Sequence, residues 1–215
     1  MSLRNEKLRW QLVSGVLQAL HLERLQSRYS PKVVMAVFNL INSGVSIALV
    51  AMLALVTQAP FIFPSLGATA FILFHVPLAQ PASPRNVLFG HFIGALAGLV
   101  GLYLFGLQDA PSAFLTGVDL SRVGAAAIAM GITGCLMVAF DMVHPPAGAT
   151  ALIVSLGLMT NPEQLAVLMG GVLILLMQAF FMNRLAGIPY PLWSSQATSR
   201  RQPKHLVHKP DARGT

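Results

Sequence analysis

The sequence predicts an all-α, polytopic membrane protein built from two related units. Three observations carry this. Of the 215 residues, 55% are hydrophobic and only 10% charged, where a soluble domain is about 25% charged. Between Val33 and Asn183 the charged residues are Arg85, Asp109, Asp119, Arg122, Asp141 and Glu163 alone, which leaves apolar runs long enough to cross a bilayer. Finally, the pattern P-x-x-G-A-T-A occurs twice, at 64–70 and 145–151, and the shift of 81 residues also carries Pro81 onto Pro162, Gly90 onto Gly171 and Ile93 onto Ile174. Internal duplication of this kind marks transporter-like folds. Chance matching in low-diversity apolar sequence is the competing explanation.

Charge distribution decides between partners. The net charge of +7 would suit nucleic acid, but six Lys/Arg precede Val33 and six lie from Arg184 onward. Basic ends around an apolar body are the positive-inside pattern, so both termini are expected in the cytoplasm and the body in the plasma (inner) membrane. The lipid bilayer is the expected partner, and nucleic acid is not. The single Cys135 excludes an intrachain disulfide and a Cys-based zinc site, and its expected role is that of a small packing residue. The first thirty residues are too charged for a secretory signal.

Taken in order, residues 1–32 place Leu8, Leu12, Val13, Val16, Leu17 and Leu20 at helical spacing among Arg and Lys. This reads as a basic amphipathic surface helix, lying on the membrane or packed on the body. The membrane domain is expected over 33–186, with repeats at about 33–107 and 123–184. Val33 to Thr57 is the first span, and its Asn39, Asn42, Ser43, Gly44 and Ser46 are expected to face other helices or a cavity. After a proline-bounded break, Ser65 to Ala79 is a segment of fifteen residues. As a helix it is roughly 22 Å long, short of the roughly 30 Å hydrocarbon core. Val87 to Leu107 is a span with Gly90, Gly94 and Gly98 in a row that admits a close neighbour. A loop over 108–122 leads to the span Val123 to Phe140. Paired prolines at Pro145 and Pro146 then break the chain, since each lacks an N–H and displaces its predecessor from the helical region. A second short segment, Ala147 to Met159, and a last span, Gln164 to Met182, complete the body. Residues 187–215 read as a basic, disordered tail.

Two basic ends imply an even number of crossings. If the two short segments re-enter, there are four crossings and parallel repeats. If they cross, there are six membrane segments, four long and two short, and the repeats are inverted. Six is favoured because it places Arg85 on the cytoplasmic side and the acidic loops outside.

The chemistry is expected where the short segments begin. A helix N-terminus has unpaired N–H groups and about half a positive charge. Two such ends facing each other would hold a small inorganic anion without a fixed cation. The substrate-binding candidates are Ser65, Gly67, Ala68 and Thr69 in the first copy, and His144, Pro145, Pro146, Gly148, Ala149 and Thr150 in the second. The glycines would admit the ion and the hydroxyls would donate to it. A tight packing surface with back-bonded threonines is the alternative. Asp141, Arg85, Asn86 and His91 are the gating or coupling candidates. Ionisable groups within a membrane segment are functional candidates by default. Asp141 can orient His144 or share a proton with it, or it can cap the segment edge or pair with Arg85 or Arg122. Arg85 is either a vestibule charge or a positive-inside anchor. His75 reads as a hydrogen-bonded structural histidine. No cofactor, metal ligand set or hydrolase motif is apparent, so an enzyme is not expected.

The run Met142-Val143-His144-Pro145-Pro146-Ala147-Gly148-Ala149-Thr150-Ala151 resembles the signature of the HPP family of integral membrane proteins. Pro64-Ser65-Leu66-Gly67-Ala68, Pro84-Arg85-Asn86-Val87 and Gly90-His91 fit the same family. The resemblance covers about 33–186. It implies a membrane transport protein, usually described with four spanning helices, and its plastid and cyanobacterial members imply nitrite as substrate. A non-transporting sensor or scaffold, and an intramembrane metalloenzyme using His75, His91, His144 and Asp141, are the alternative functions. The small membrane body and glycine-rich faces make a homo-oligomer a candidate.

Overall fold

A computed structural model describes residues 21–59 and 62–195. The helices are α1 (Leu22–Gln26), α2 (Pro31–Thr57), α3 (Pro64–His75), α4 (Pro84–Leu104), α5 (Ala113–Thr116), α6 (Leu120–Ala139), α7 (Pro146–Ser155) and α8 (Pro162–Leu185), with a 3-10 turn at Gln80–Ala82. Among the described residues α2, α4, α6 and α8 are long and apolar enough to cross a membrane, and α3 and α7 are the shorter apolar helices. At 1.5 Å per residue α3 is roughly 18 Å long and α7 roughly 15 Å.

Local sequence explains the boundaries. Helices α2, α3, α4, α7 and α8 all open on proline in the first turn, where the missing N–H costs nothing. Gly106, Gly117, Gly157 and Gly187, all at positive φ, follow the ends of α4, α5, α7 and α8, as left-handed helix stops do. The first short segment ends at His75 rather than Ala79. Pro77 cannot donate to Leu73, and Val76, before it, leaves the helical region (φ −133°, ψ 58°). The carbonyl stranded at Leu73 accepts instead from Asn183 Nδ2 on α8 at 3.1 Å. Asn183→Leu, which fills the same space without a donor, should therefore lower stability by about 1–3 kcal/mol, measured as thermal unfolding in detergent. An unchanged midpoint would show that this carbonyl finds another donor.

The fold is organised around α4, the most buried of the long helices: 56% of its central window is inside, against 17% in α2. The glycine row finds its neighbour in α7. A Cβ at Gly90 would meet His144 Cβ at 2.7 Å, one at Gly94 would meet the Ala147 carbonyl oxygen at 2.4 Å, and one at Gly98 would meet Val154 Cβ at 2.5 Å. One turn on, Gly101 does the same against the Ala125 carbonyl oxygen of α6, at 2.4 Å. On the other side α3 is wrapped in an apolar core through Leu66, Leu73 and Phe74, with Val87 of α4, Val154 of α7 and Leu175 of α8.

Hydrogen bonds show which ends lie together. Leu22 N donates to Ala186 O, Asn183 reaches Leu73 O, and Arg85 N donates to Trp193 O. The Arg85 side chain reaches Phe140 O. With Val34 of α2 packed on Leu22 and Ala186, these gather the start of α2, the end of α3, the start of α4, the end of α6 and the end of α8 at one end of the bundle. At the other, Arg122 joins the start of α6 to Ser155 O at the end of α7 and to Pro111 O in the loop after α4. The chain therefore runs up and down, α3 and α7 included.

Several expectations need correction. The amphipathic surface helix over 1–32 lies mostly outside the described residues. Within them it does not continue to residue 32, since α1 ends at Gln26 and a turn follows. The tail lies outside them from residue 196, but residues 187–195 are no loose tail. Tyr190 is wholly buried, donates to Ala82 O and has its phenol pushed above the usual tyrosine range by burial. Ile188, Tyr190 and Trp193 give that segment apolar surface to bury. Cys135 is exposed on α6 rather than packed inside.

Candidate functional site

Two repeated threonines meet at a pair of histidines. Thr69, in the second turn of α3, has Oγ1 2.8 Å from His91 Nε2 on α4 and 3.0 Å from His144 Nε2 at the break before α7. The other nitrogen of His91, Nδ1, lies 2.8 Å from Thr150 Oγ1 on α7. The other nitrogen of His144 lies 2.7 Å from the carbonyl oxygen of Pro81 in the 3-10 turn. The rings are 5.0 Å apart at their centroids, and all four side chains are wholly buried. Three features bring them together. Gly90 leaves room for His144, α7 starts at the break, and Pro84, next in line to donate in the 3-10 turn, has no N–H and leaves Pro81 O free.

Donor counting orders this chain. The Pro81 carbonyl only accepts, so His144 carries a hydrogen on Nδ1, and its Nε2 in the neutral ring accepts. That acceptor requires the Thr69 hydroxyl hydrogen. Thr69 then accepts from His91 Nε2–H, and His91 Nδ1 accepts from the Thr150 hydroxyl. Every group is satisfied without charge, and the four donors all point from Thr150 toward Pro81. The one competitor is the carbonyl of Ser65, 2.9 Å from Thr69 Oγ1. Four residues before Thr69, on the same face of α3, the Ser65 hydroxyl is wholly buried without a hydrogen-bond partner.

The helix starts differ from expectation. Ala147 N donates to His144 O and Gly148 N to Pro145 O, both at 3.0 Å, while Leu66 N donates to Phe63 O at 2.9 Å. These N–H groups are used in tight first turns, so the donors that converge here are side chains. Gly67 and Ala68 lie on the exposed face of α3, away from the histidines, and Pro145 is also exposed. Gly148 is buried against the Met130 thioether, with Pro146 buried and Ala149 half-buried beside it. Of the ten substrate-binding candidates, Thr69, His144 and Thr150 come together through His91, and Ser65 reaches them by its carbonyl, beside Thr69.

Among the coupling candidates, His91 is the bridge between the two threonines. Asp141 does not orient His144, whose two ring nitrogens are taken by Pro81 and Thr69. It sits exposed at φ +54° and accepts from Gln80 Nε2 at 2.8 Å. Arg85 is a helix cap, donating to Asp141 O at 3.1 Å and Phe140 O at 3.2 Å, beyond the end of α6. Asn86 holds the next stretch, donating to Val143 O at 3.1 Å and accepting from Ser83. Arg122, 2% exposed, caps α7 through Ser155 O and also reaches Ala110 O and Pro111 O. His75 is exposed and stacks on Phe71, not hydrogen-bonded inside. Among the described residues no group of three or more His, Cys, Asp or Glu is placed to hold a metal ion. Sequence reasoning missed the Pro81 carbonyl and Asn183. Proline at position 77, four after Leu73, was the available signal for the second, and a backbone acceptor leaves none.

The pattern of a family described as HPP, transmembrane region, matches residues 28–191. Two transmembrane proteins of Dictyostelium discoideum are similar to the chain. One is 32% identical over 145 residues, covering 65% of this chain and 47% of the relative. Another is 31% identical over 93 residues, covering 43% and 27%. The chain thus spans about half the length of the first and about a quarter of the second. No solved structure matches it.

Proposed function

The chain belongs to the HPP transmembrane family, and from that premise we propose that it carries a small anion, nitrite first among them, across the bilayer in which it sits. One observation supports this most directly. A wholly buried set of hydroxyls and imidazoles, with the Ser65 hydroxyl unpartnered, lies where two short helices meet deep in an apolar bundle. Ionisable groups at such depth are costly, and the usual reason for them is passage of an ion or proton. In the closed arrangement the donors satisfy one another. An anion entering beside Ser65 would take the hydrogens of Ser65, Thr69 and Thr150 in exchange.

The two related units are α2–α4 and α6–α8. A shift of 81 turns 31–57, 64–75 and 84–104 into 112–138, 145–156 and 165–185, against helices at 120–139, 146–155 and 162–185. On this reading the units are inverted, an arrangement that the alternating helix directions support and in which one half can rock against the other around a fixed site. Basic ends then place both termini in the cytoplasm of a plasma-membrane protein.

The test is flux of nitrite, nitrate, chloride and formate into proteoliposomes. Wild type should pass nitrite, and His144→Ala should lose roughly tenfold or more, the equivalent of about 1.4 kcal/mol. Equal flux for both proteins would remove the site from the path, and no flux of any anion would favour a sensor or scaffold.

A further inference from the structure

We infer that Thr69 is a proton relay between His91 and His144, so that each anion crosses with one proton. This rests on the transport reading above and adds to it the coupling ion and the residue that moves it.

The geometry has three parts. Thr69 Oγ1 is within hydrogen-bond distance of Nε2 on both rings, 2.8 and 3.0 Å, and links them where they do not bond to each other. The outer nitrogen of each ring has a different kind of partner. At His144 it is a carbonyl, which cannot take a proton, and at His91 it is a hydroxyl, which can pass one. Thr69 also has an alternative acceptor, the Ser65 carbonyl at 2.9 Å. These define two hydrogen-bonded states. With both rings neutral, the Thr69 hydrogen lies on His144 Nε2. With the proton moved to His144, Thr69 receives from His144 Nε2, and its own hydrogen turns to the bare Nε2 of His91 or to Ser65 O.

Transfer balances without any further reactant. His91, protonated on both nitrogens, gives its Nε2 proton to the Thr69 oxygen while Thr69 gives its hydroxyl proton to His144 Nε2. One O–H forms as another breaks, the new Thr69 hydrogen faces the bare Nε2 of His91, which keeps its proton on Nδ1, and the positive charge has moved from one imidazole to the other. Around the rings, α3 contributes Ser65 and Thr69, α7 contributes Thr150, and the 3-10 turn contributes a carbonyl. Helix α6 brings Met137 to the adjoining apolar cluster, and α8 has its charges, Glu163 and Arg184, at its two ends. Arg85 and Asp141 are engaged at the bundle end with carbonyls and with Gln80. Each histidine is thus the titratable neighbour of the other. Because the Pro81 carbonyl cannot take it, the proton leaves His144 from Nε2 to the monovalent anion bound beside it, and the neutral pair costs less to bury than either charge alone.

The experiment uses proteoliposomes with an inward nitrite gradient, a pH dye inside, and protein-free vesicles to subtract passive entry of the acid form. Nitrite uptake in wild type should bring in one proton per anion and build no membrane potential. Thr69→Ser should keep this, and Thr69→Val should lose uptake of both by about tenfold or more. Nitrogen-15 spectra of the histidines, read independently of transport, should show His91 protonated at Nε2 and His144 at Nδ1, with both signals shifted in Thr69→Val. Nitrite uptake that builds a potential, or valine behaving as serine does, overturns the relay while leaving anion transport standing. If wild type moves no anion, the transport reading fails and the spectra decide: both rings protonated at the same nitrogen position would overturn the relay as well.

Discussion

Gly94→Val should be one of the two most damaging single substitutions argued from the membrane body. Even the first carbon of the new side chain would fall 2.4 Å from the Ala147 carbonyl oxygen and 3.2 Å from its carbonyl carbon. Both are backbone atoms of α7 and cannot rotate away, so the helices must separate. Overpacking costs typically 1–3 kcal/mol, and a branched side chain against backbone belongs at or above roughly 3 kcal/mol on that scale. The separation also carries His144 and Thr150 away from Thr69 and His91, so transport should fall with stability. Gly131 is the control. It is helical and nothing lies within 4 Å of a Cβ there, so Gly131→Ala should be neutral or stabilising by up to about 1 kcal/mol, the helix-propensity gain. Thermal unfolding in detergent reads both. Equal midpoints for Gly94→Val and Gly131→Ala would mean that α4 and α7 do not touch as described.

Arg122→Met should be the other. The guanidinium is buried at the far end of the bundle and spends its donors on three carbonyls, with distances of 3.2 Å to Ser155, 3.4 Å to Ala110 and 2.7 Å to Pro111. Methionine keeps much of the stem and removes every donor. Each acceptor left dry costs on the order of 1–3 kcal/mol, so the loss should be several kcal/mol in total, read as a large drop in the unfolding midpoint. Arg122→Lys should recover only part of it, because an ammonium cannot reproduce the planar fork that spans three acceptors. Its backbone should be unaffected, since Asp119 Oδ1 still caps Arg122 N at 2.7 Å. A midpoint within about 0.5 kcal/mol of wild type, the range of unremarkable surface changes, would show that water or another side chain serves these carbonyls.

Much of the architecture was legible one element at a time. Prolines at 31, 64, 84, 146 and 162 start helices because they need no N–H there, and glycines at 106, 157 and 187 stop them because they tolerate positive φ. The row at Gly90, Gly94 and Gly98 announced a close neighbour without saying which. The site was legible by half. Thr69 and Thr150 stood out because the same pattern surrounds them twice, and so did His144. Their companions Gly67 and Ala68 were misplaced, since which face of α3 turns inward depends on where α8 and α4 lie. Arg85 and Arg122 were possible partners of Asp141 in sequence, and their actual partners, backbone carbonyls, have no signature there.

The sequence by itself determined that this is a membrane chain of long and short helices with a repeated threonine-bearing start, because apolar run length, proline and glycine act within a few residues. Only the tertiary structure decided which donors meet. The shift of 81 that maps Thr69 onto Thr150 maps His91 onto Val172 and Phe63 onto His144, so the histidines lie outside the repeat and nothing periodic links them. They become neighbours because Gly90 lets α7 begin against α4 and because Pro81 exposes a carbonyl beside the break. Hydrogen bonds between residues 22, 59 and 75 positions apart are set by how helices pack, and packing is a property of the whole chain.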